Sequence, residues 1–169
     1  NDISGGTMDE TMFDYVSQAS IPYVMMHIQG TPETMQKNPE YADVVKEVGQ
    51  FFRERIARLE AAGFRQIILD PGFGFGKTLQ HNYELLDGME TYKSFGYPLL
   101  AGISRKSMIY KLLGGTPADA LNGTTVLNTI SLLKGADILR VHDVKEAVEA
   151  VKIVGAMRES SGKREKAVL

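Results

Sequence analysis

The chain has 169 residues, 43% of them hydrophobic and 24% charged, with a formal net charge of −2. One ordinary globular domain is expected from these values, and with no block of like charge neither nucleic acid nor a membrane surface is an expected partner. No apolar run approaches the roughly 18 residues of a spanning helix; with no cysteine and three scattered histidines, disulfides and thiolate metal sites are excluded, no zinc site is expected, and the default location is cytoplasmic.

In chain order, NDISGGTMDE reads as a polar strand end, a glycine turn and a capping box, Thr7-x-x-Glu10, opening a helix. IPYVMMHIQG at 21–30 is an apolar strand that turns polar at His27 and Gln29. Asn38 as N-cap with Pro39 at the first helical position then signals a helix. Val45, Val48, Phe52, Ile56 and Leu59 recur along it at helical spacing, and Gly63 stops it. RQIILD at 65–70 is the next strand, ending at Asp70, with a helix from Leu79 to Lys93 after it. YPLLAGIS at 97–104 is another, ending in Ser104-Arg105-Lys106. Thr116-Pro117 opens a main helix running to Lys134. ADILRVHD at 136–143 is the last strand, and Asp143 with Glu146 reads as a capping box for the final helix.

Short apolar strands alternating with helices make βαβ units and a parallel sheet, an α/β fold. The polar residues gather at the carboxyl ends of the strands, where such folds place their sites. A closed barrel of eight such units takes about 250 residues. The expected fold is therefore a partial (β/α)8 TIM barrel over residues 1–158, its later portion, followed by a polar tail at 159–169.

LDPGFGFGKT at 69–78 invites a phosphate-loop reading. The P-loop spacing would need glycine where Pro71 stands, and the evenly spaced Gly72, Gly74 and Gly76 do not fit the dinucleotide pattern. What remains is a carboxylate, Asp70, followed by a backbone able to pass close to other chain. Asp70 reads either as a turn-former or as an acceptor of two parallel N–H bonds. Of Phe73 and Phe75, one is expected to pack under the loop. Lys77, without P-loop spacing, reads as a solvated side chain. Met26 reads as core, and His27 as a hydrogen-bonded structural residue.

Ser104-Arg105-Lys106-Ser107 reads as an N-cap and first helical turn, yet two cations there oppose the helix dipole, a local conflict that points to a site. Arg140 and His142, two apart on a strand, share a face beside the N-terminus of the last helix. They read as an anion site, or Arg140 pairs with a neighbouring carboxylate.

Five strings in order, NDISGG, MMHIQGTPETMQ, LDPGFGFGKT, AGISRKSM and LRVHDV, resemble the dihydropteroate synthase family. The resemblance runs from residue 1 to about residue 158, and on it the chain extends from the end of strand 4 through helix 8 of the barrel. It implies a transferase that forms a C–N bond between a dihydropterin pyrophosphate and p-aminobenzoate, releasing pyrophosphate in folate biosynthesis. It also implies a homodimer and a sulfonamide target. It assigns the pterin to Asn1, Met26, Asp70, Gly102 and Lys106, and p-aminobenzoate to Phe75, Lys106 and Ser107. Arg140 and His142 are assigned the pyrophosphate, and Lys106, Arg140 and His142 the catalytic roles. The family's Mg2+ ligand, a second pterin aspartate and a loop over the amine come from its first three strands, so no metal ligand and little synthase activity are expected of these residues alone. The alternative is a methyltetrahydrofolate-corrinoid methyltransferase barrel, which shares the ring pocket but needs no anion site.

Overall fold

The computed structural model describes residues 1–19 and 21–166, with side chains through residue 160. Four parallel strands follow one another in the chain: β1 (Tyr23–Met26), β2 (Ile67–Asp70), β3 (Leu100–Ala101) and β4 (Ile138–Leu139). β1 pairs with β2 from Tyr23 opposite Ile67 to Met26 opposite Asp70, and β3 pairs with β4 at Leu100–Ile138 and Ala101–Leu139. Parallel bridges Asp2–Met25 and Leu69–Leu99 join these pairs, so the spatial order is Asp2, β1, β2, β3, β4. Helix stands in every crossover and after the last strand: α1 (Met12–Ala19), α2 (Val44–Ala61), α3 (Leu79–Asp87), α4 (Ser107–Leu113), α5 (Leu121–Leu133) and, following β4, α6 (Val144–Lys166). The polar tail expected from 159 begins within α6, and residues 167–169 lie outside the described residues.

The helices pack on the sheet through the stripes their periodicity marks. On α2, Val44, Val48, Phe52, Ile56 and Leu59 are buried. They join Met25, Ile67, Leu69 and Leu99 from the strands in one core, each buried side chain contributing about 1.5–3 kcal/mol. Tyr92 closes this layer: its ring meets Phe52 edge-on at 5.4 Å, and its hydroxyl donates to the Val45 carbonyl at 2.9 Å.

Several helix starts differ from the local signals. Asn38 has φ +54° and precedes a further stretch of loop; the cap of α2 is Asp43, whose carboxylate accepts from Lys46 N at 3.0 Å. The loop from 29 to 43 is pinned elsewhere, Gln29 and Glu40 exchanging two hydrogen bonds, so it cannot begin the helix at Pro39. Thr7 donates to the Ser4 carbonyl and caps nothing; Asp9 accepts from Thr11 N, and α1 begins at Met12. α3 ends at Asp87, and a 3₁₀ helix over Met89–Phe95 follows. Thr116 caps only the short 3₁₀ turn Pro117–Asp119, and α5 starts after it. The Asp143 carboxylate is taken by Arg105.

Candidate active site

The carboxyl ends of the strands converge on one mouth. From β2 comes Asp70, fully buried. Its Oδ1 accepts from Gly72 N at 2.9 Å, the turn role expected of an aspartate before proline. Its Oδ2 lies 2.8 Å from Arg140 Nη2. That contact is an ion pair without hydrogen-bond alignment, so a buried carboxylate oxygen is left with no hydrogen-bond donor. A buried oxygen of this kind costs roughly 1–3 kcal/mol unless something donates to it.

Arg140 lies just past β4, which ends at Leu139, and lines the same hollow as His142. Its guanidinium contacts Asp70 and accepts company from Asn1, donating Nη1 to Asn1 Oδ1 at 3.1 Å. Both readings of Arg140 therefore bear on one place: it pairs with a carboxylate, and it lines a hollow with Gly102, Ser104, Lys106, Val141 and His142. A Cβ on Gly102 would come within 2.6 Å of Arg140 Nη2, so it is the guanidinium that uses the space this glycine leaves. His142 is held by Ser104, whose Oγ accepts from His142 N at 3.1 Å and lies 3.0 Å from His142 Nδ1.

Lys106 is the N-cap residue of α4 and Ser107 its first helical residue. The Lys106 ammonium does not extend into solvent. It donates to the Phe73 carbonyl and sits 4.5 Å from the centre of the Phe75 ring. Burial pulls it down to about 8, with Asp70 opposing and Arg140 adding to the shift. Arg105 turns the other way. It sits at φ +54°, a strained value for a side-chain-bearing residue, with its guanidinium on both oxygens of Asp143 and on the Pro117 carbonyl. This buttress resolves the clash of two adjacent cations: one faces the mouth, the other anchors the loop.

The alternating glycines have a concrete cause. Gly72 (φ +70°) would place a Cβ 1.9 Å from the His27 carbonyl oxygen, and Gly76 (φ +61°) 2.5 Å from that of Gln29. The loop after β2 crosses the end of β1 too closely for any side chain. Between them Phe73 is fully buried and Phe75 half-buried beside Lys106, one aromatic for the core and one for the mouth. Met26 is fully buried at the end of β1, next to Gly72.

Lys77 is a correction to the sequence reading. It is 3% exposed. Its Nζ donates to the carbonyls of Gly72 and Phe75, both at 3.0 Å, and lies 3.0 Å from His27 Nδ1. Burial pulls it down to about 7, with Asp70 opposing and Lys106 adding. Burial, then Lys77 and Arg55, push His27 down to about 2, which keeps its ring neutral and an acceptor for the lysine. His27 is thus the hydrogen-bonded structural residue expected. Gln36, Tyr41 and Asn82, also around this loop, were not legible as site neighbours. The one sequence signal was a glycine-rich turn whose carbonyls have no sheet to join.

A family profile described as pterin binding enzyme matches residues 1–142. The chain belongs to the pterin binding enzyme family. Among proteins of that kind it is 49% identical over 142 residues to a dihydropteroate synthase of Escherichia coli, an alignment covering 83% of this chain and 50% of that protein. A dihydropteroate synthase of Yersinia pestis, solved in complex with a sulfonamide drug, superposes with a TM-score of 0.90 at 42% identity, over 95% of this chain and 59% of the other. One from Xanthomonas albilineans, in complex with 7,8-dihydropteroate, superposes with a TM-score of 0.84 at 36% identity, over 94% and 58%. This pterin binding enzyme chain spans about half the length of the synthases it matches, and its fold is of the TIM-barrel α/β type.

Proposed function

We propose that the chain supplies the later half of a dihydropteroate synthase barrel, from the end of strand 4 through helix 8. In this reading it joins a dihydropterin pyrophosphate to p-aminobenzoate. The observation that carries the reading is the buried carboxylate of Asp70, one oxygen without a hydrogen-bond donor, set under a cluster of cations at the strand ends. A 2-amino-pyrimidinone edge offers two parallel N–H donors to a carboxylate, one of them for the oxygen that has none. The names of the matched synthases add support.

Each residue then has a chemical task. Asp70 orients the ring, with Asn1 beside it and Met26 and Gly102 shaping the pocket. Phe75 and Ser107 flank the amine, and Lys106 stands between the two substrates. The amine nitrogen attacks the pterin methylene as its C–O bond breaks. The electron pair leaves with the pyrophosphate, and the new nitrogen loses its proton to water. Arg140, His142 and Lys106 stabilise the charge that grows on the leaving oxygen. No protein nucleophile is required. Among the described residues no three His, Asp or Glu side chains gather to hold a metal ion. The resemblance draws the magnesium ligand from the first three strands of the barrel, and no step is routed through the ion here. The proposal extends to a homodimer in the cytoplasm that sulfonamides inhibit; among the described residues no helix is long and apolar enough to cross a membrane.

The test is turnover of dihydropterin pyrophosphate with p-aminobenzoate and magnesium, by this chain and by one extended at its N-terminus. Dihydropteroate and pyrophosphate formed by the extended chain, with little from the 169 residues, is the expected result. Failure of both, with no pyrophosphate bound in a direct titration, would overturn it in favour of a methyl-transferring pterin barrel.

A further inference from the structure

The loop after β2 is held by side chains rather than by sheet. Gly72 N donates to Asp70 and Gly74 N to Asn82 Oδ1 at 2.6 Å. The Gly74 carbonyl accepts from Gln36 Nε2 and the Gly76 carbonyl from Tyr41 Oη, both at 2.8 Å. The Phe73 carbonyl accepts from Lys106. Of the two remaining carbonyls, that of Gly72 accepts from Phe75 N at 3.1 Å and from Lys77, and that of Phe75 accepts from Lys77.

We propose that Lys77 is a positioning residue: its buried ammonium clamps the Gly72 and Phe75 carbonyls, and through this loop sets where Phe75 and Lys106 stand. Three acceptors surround three N–H bonds, so the group is fully used and none is left for a ligand. His27 supplies the third acceptor from the end of β1, which ties the clamp to the neighbouring strand. The path to the mouth is short. Lys77 fixes the carbonyl of Phe75 itself, and Phe73, two residues earlier, carries the carbonyl that receives Lys106. Three of the loop's residues are glycines in the left-handed region, so its backbone has more alternative conformations than most and more need of an external restraint. The extension to the amine pocket rests on the synthase reading; the clamp itself does not.

The experiment compares the unmutated protein with Lys77→Met, which keeps length and apolar bulk and removes every donor. Amide hydrogen exchange is followed over Gly72–Gly76 and over Ile67–Asp70. The expected result is exchange about tenfold faster in the loop, the effect of losing one net hydrogen bond, with the strand still protected. Equal exchange in both proteins overturns the clamp. A uniform rise across loop and strand overturns it too, because Lys77 would then serve stability alone. Should Lys77→Met not fold, Lys77→Gln carries the same measurement, since its amide is too short to reach both carbonyls. In the catalytically competent extended chain, Lys77→Met should raise KM for p-aminobenzoate and leave KM for the pterin substrate near its original value. An equal rise in both overturns the extension to the amine pocket. If that chain makes no dihydropteroate at all, the synthase reading fails while the exchange result still decides the clamp.

Discussion

The Arg140 guanidinium lies 2.8 Å from Asp70 Oδ2, so the residue assigned to the leaving group rests on the one assigned to the ring. A pterin that takes both carboxylate oxygens must draw its bond from the same oxygen that Arg140 faces, and the pyrophosphate then offers the displaced cation a new partner. Asp70→Ala is therefore expected to cost about 2–4 kcal/mol in pterin affinity. Arg140→Ala should weaken pyrophosphate binding and cause no loss for bare pterin, which no longer has to displace the guanidinium from Asp70. Calorimetric titration of both variants with both ligands checks this; equal losses everywhere would refute the division.

The same pair sets a stability expectation. Arg140→Ala leaves Asp70 buried without its cation, but the Arg140 side chain is 42% exposed and water screens it. The cost should be about 1 kcal/mol, against roughly 3–5 kcal/mol for a fully buried pair. Urea unfolding of the variant measures it.

Lys106 gives the anion site a pH dependence. Its ammonium is pulled down to about 8, so it is charged below that pH and neutral above it. Sulfate, whose charge is constant in this range, should bind more weakly as pH rises through 8, with proton uptake on binding near that value. Lys106→Arg should remove the dependence. Calorimetry in two buffers of different ionisation heat gives the proton count, and no uptake would contradict the assignment.

Lys77 should tilt the stability curve. Its proton is lost near pH 7 in the folded protein and near 10.5 when unfolded. Between those values the unfolded chain binds more protons, so stability rises with pH, by at most about 1.4 kcal/mol per unit from this group. Below pH 7 both states hold the proton and the contribution is flat. Denaturant unfolding between pH 7 and 8 should show the rise, and Lys77→Met should lose it.

Glycine replacements separate crossing from turning. Gly72→Ala meets the His27 carbonyl at 1.9 Å as well as a left-handed backbone, and should cost about 3 kcal/mol or more. Gly63→Ala shares the left-handed backbone (φ +78°) but meets nothing within 4 Å, so only about 1–2 kcal/mol is expected. Thermal unfolding of the two variants compares them.

What the sequence by itself determined is local in origin. Short continuous apolar runs placed the four strands, helical spacing marked the buried face of α2, and the polar residues after each strand marked the mouth, because run length and helix pitch are properties of neighbouring residues. Even the alternation of glycine and phenylalanine announced a backbone passing close to something. Tertiary structure decided the rest. The start of α2 moved from Asn38 to Asp43 because Gln29 and Glu40 hold the intervening loop. Lys77 went inside because His27, 50 residues earlier, and two carbonyls of its own loop give its ammonium three partners. Arg140 closed on Asp70 across the mouth, and Arg105 turned away from it onto Asp143. Whether a charge meets water or a partner depends on which distant strand ends stand beside it, and only the order of strands in the sheet settles that.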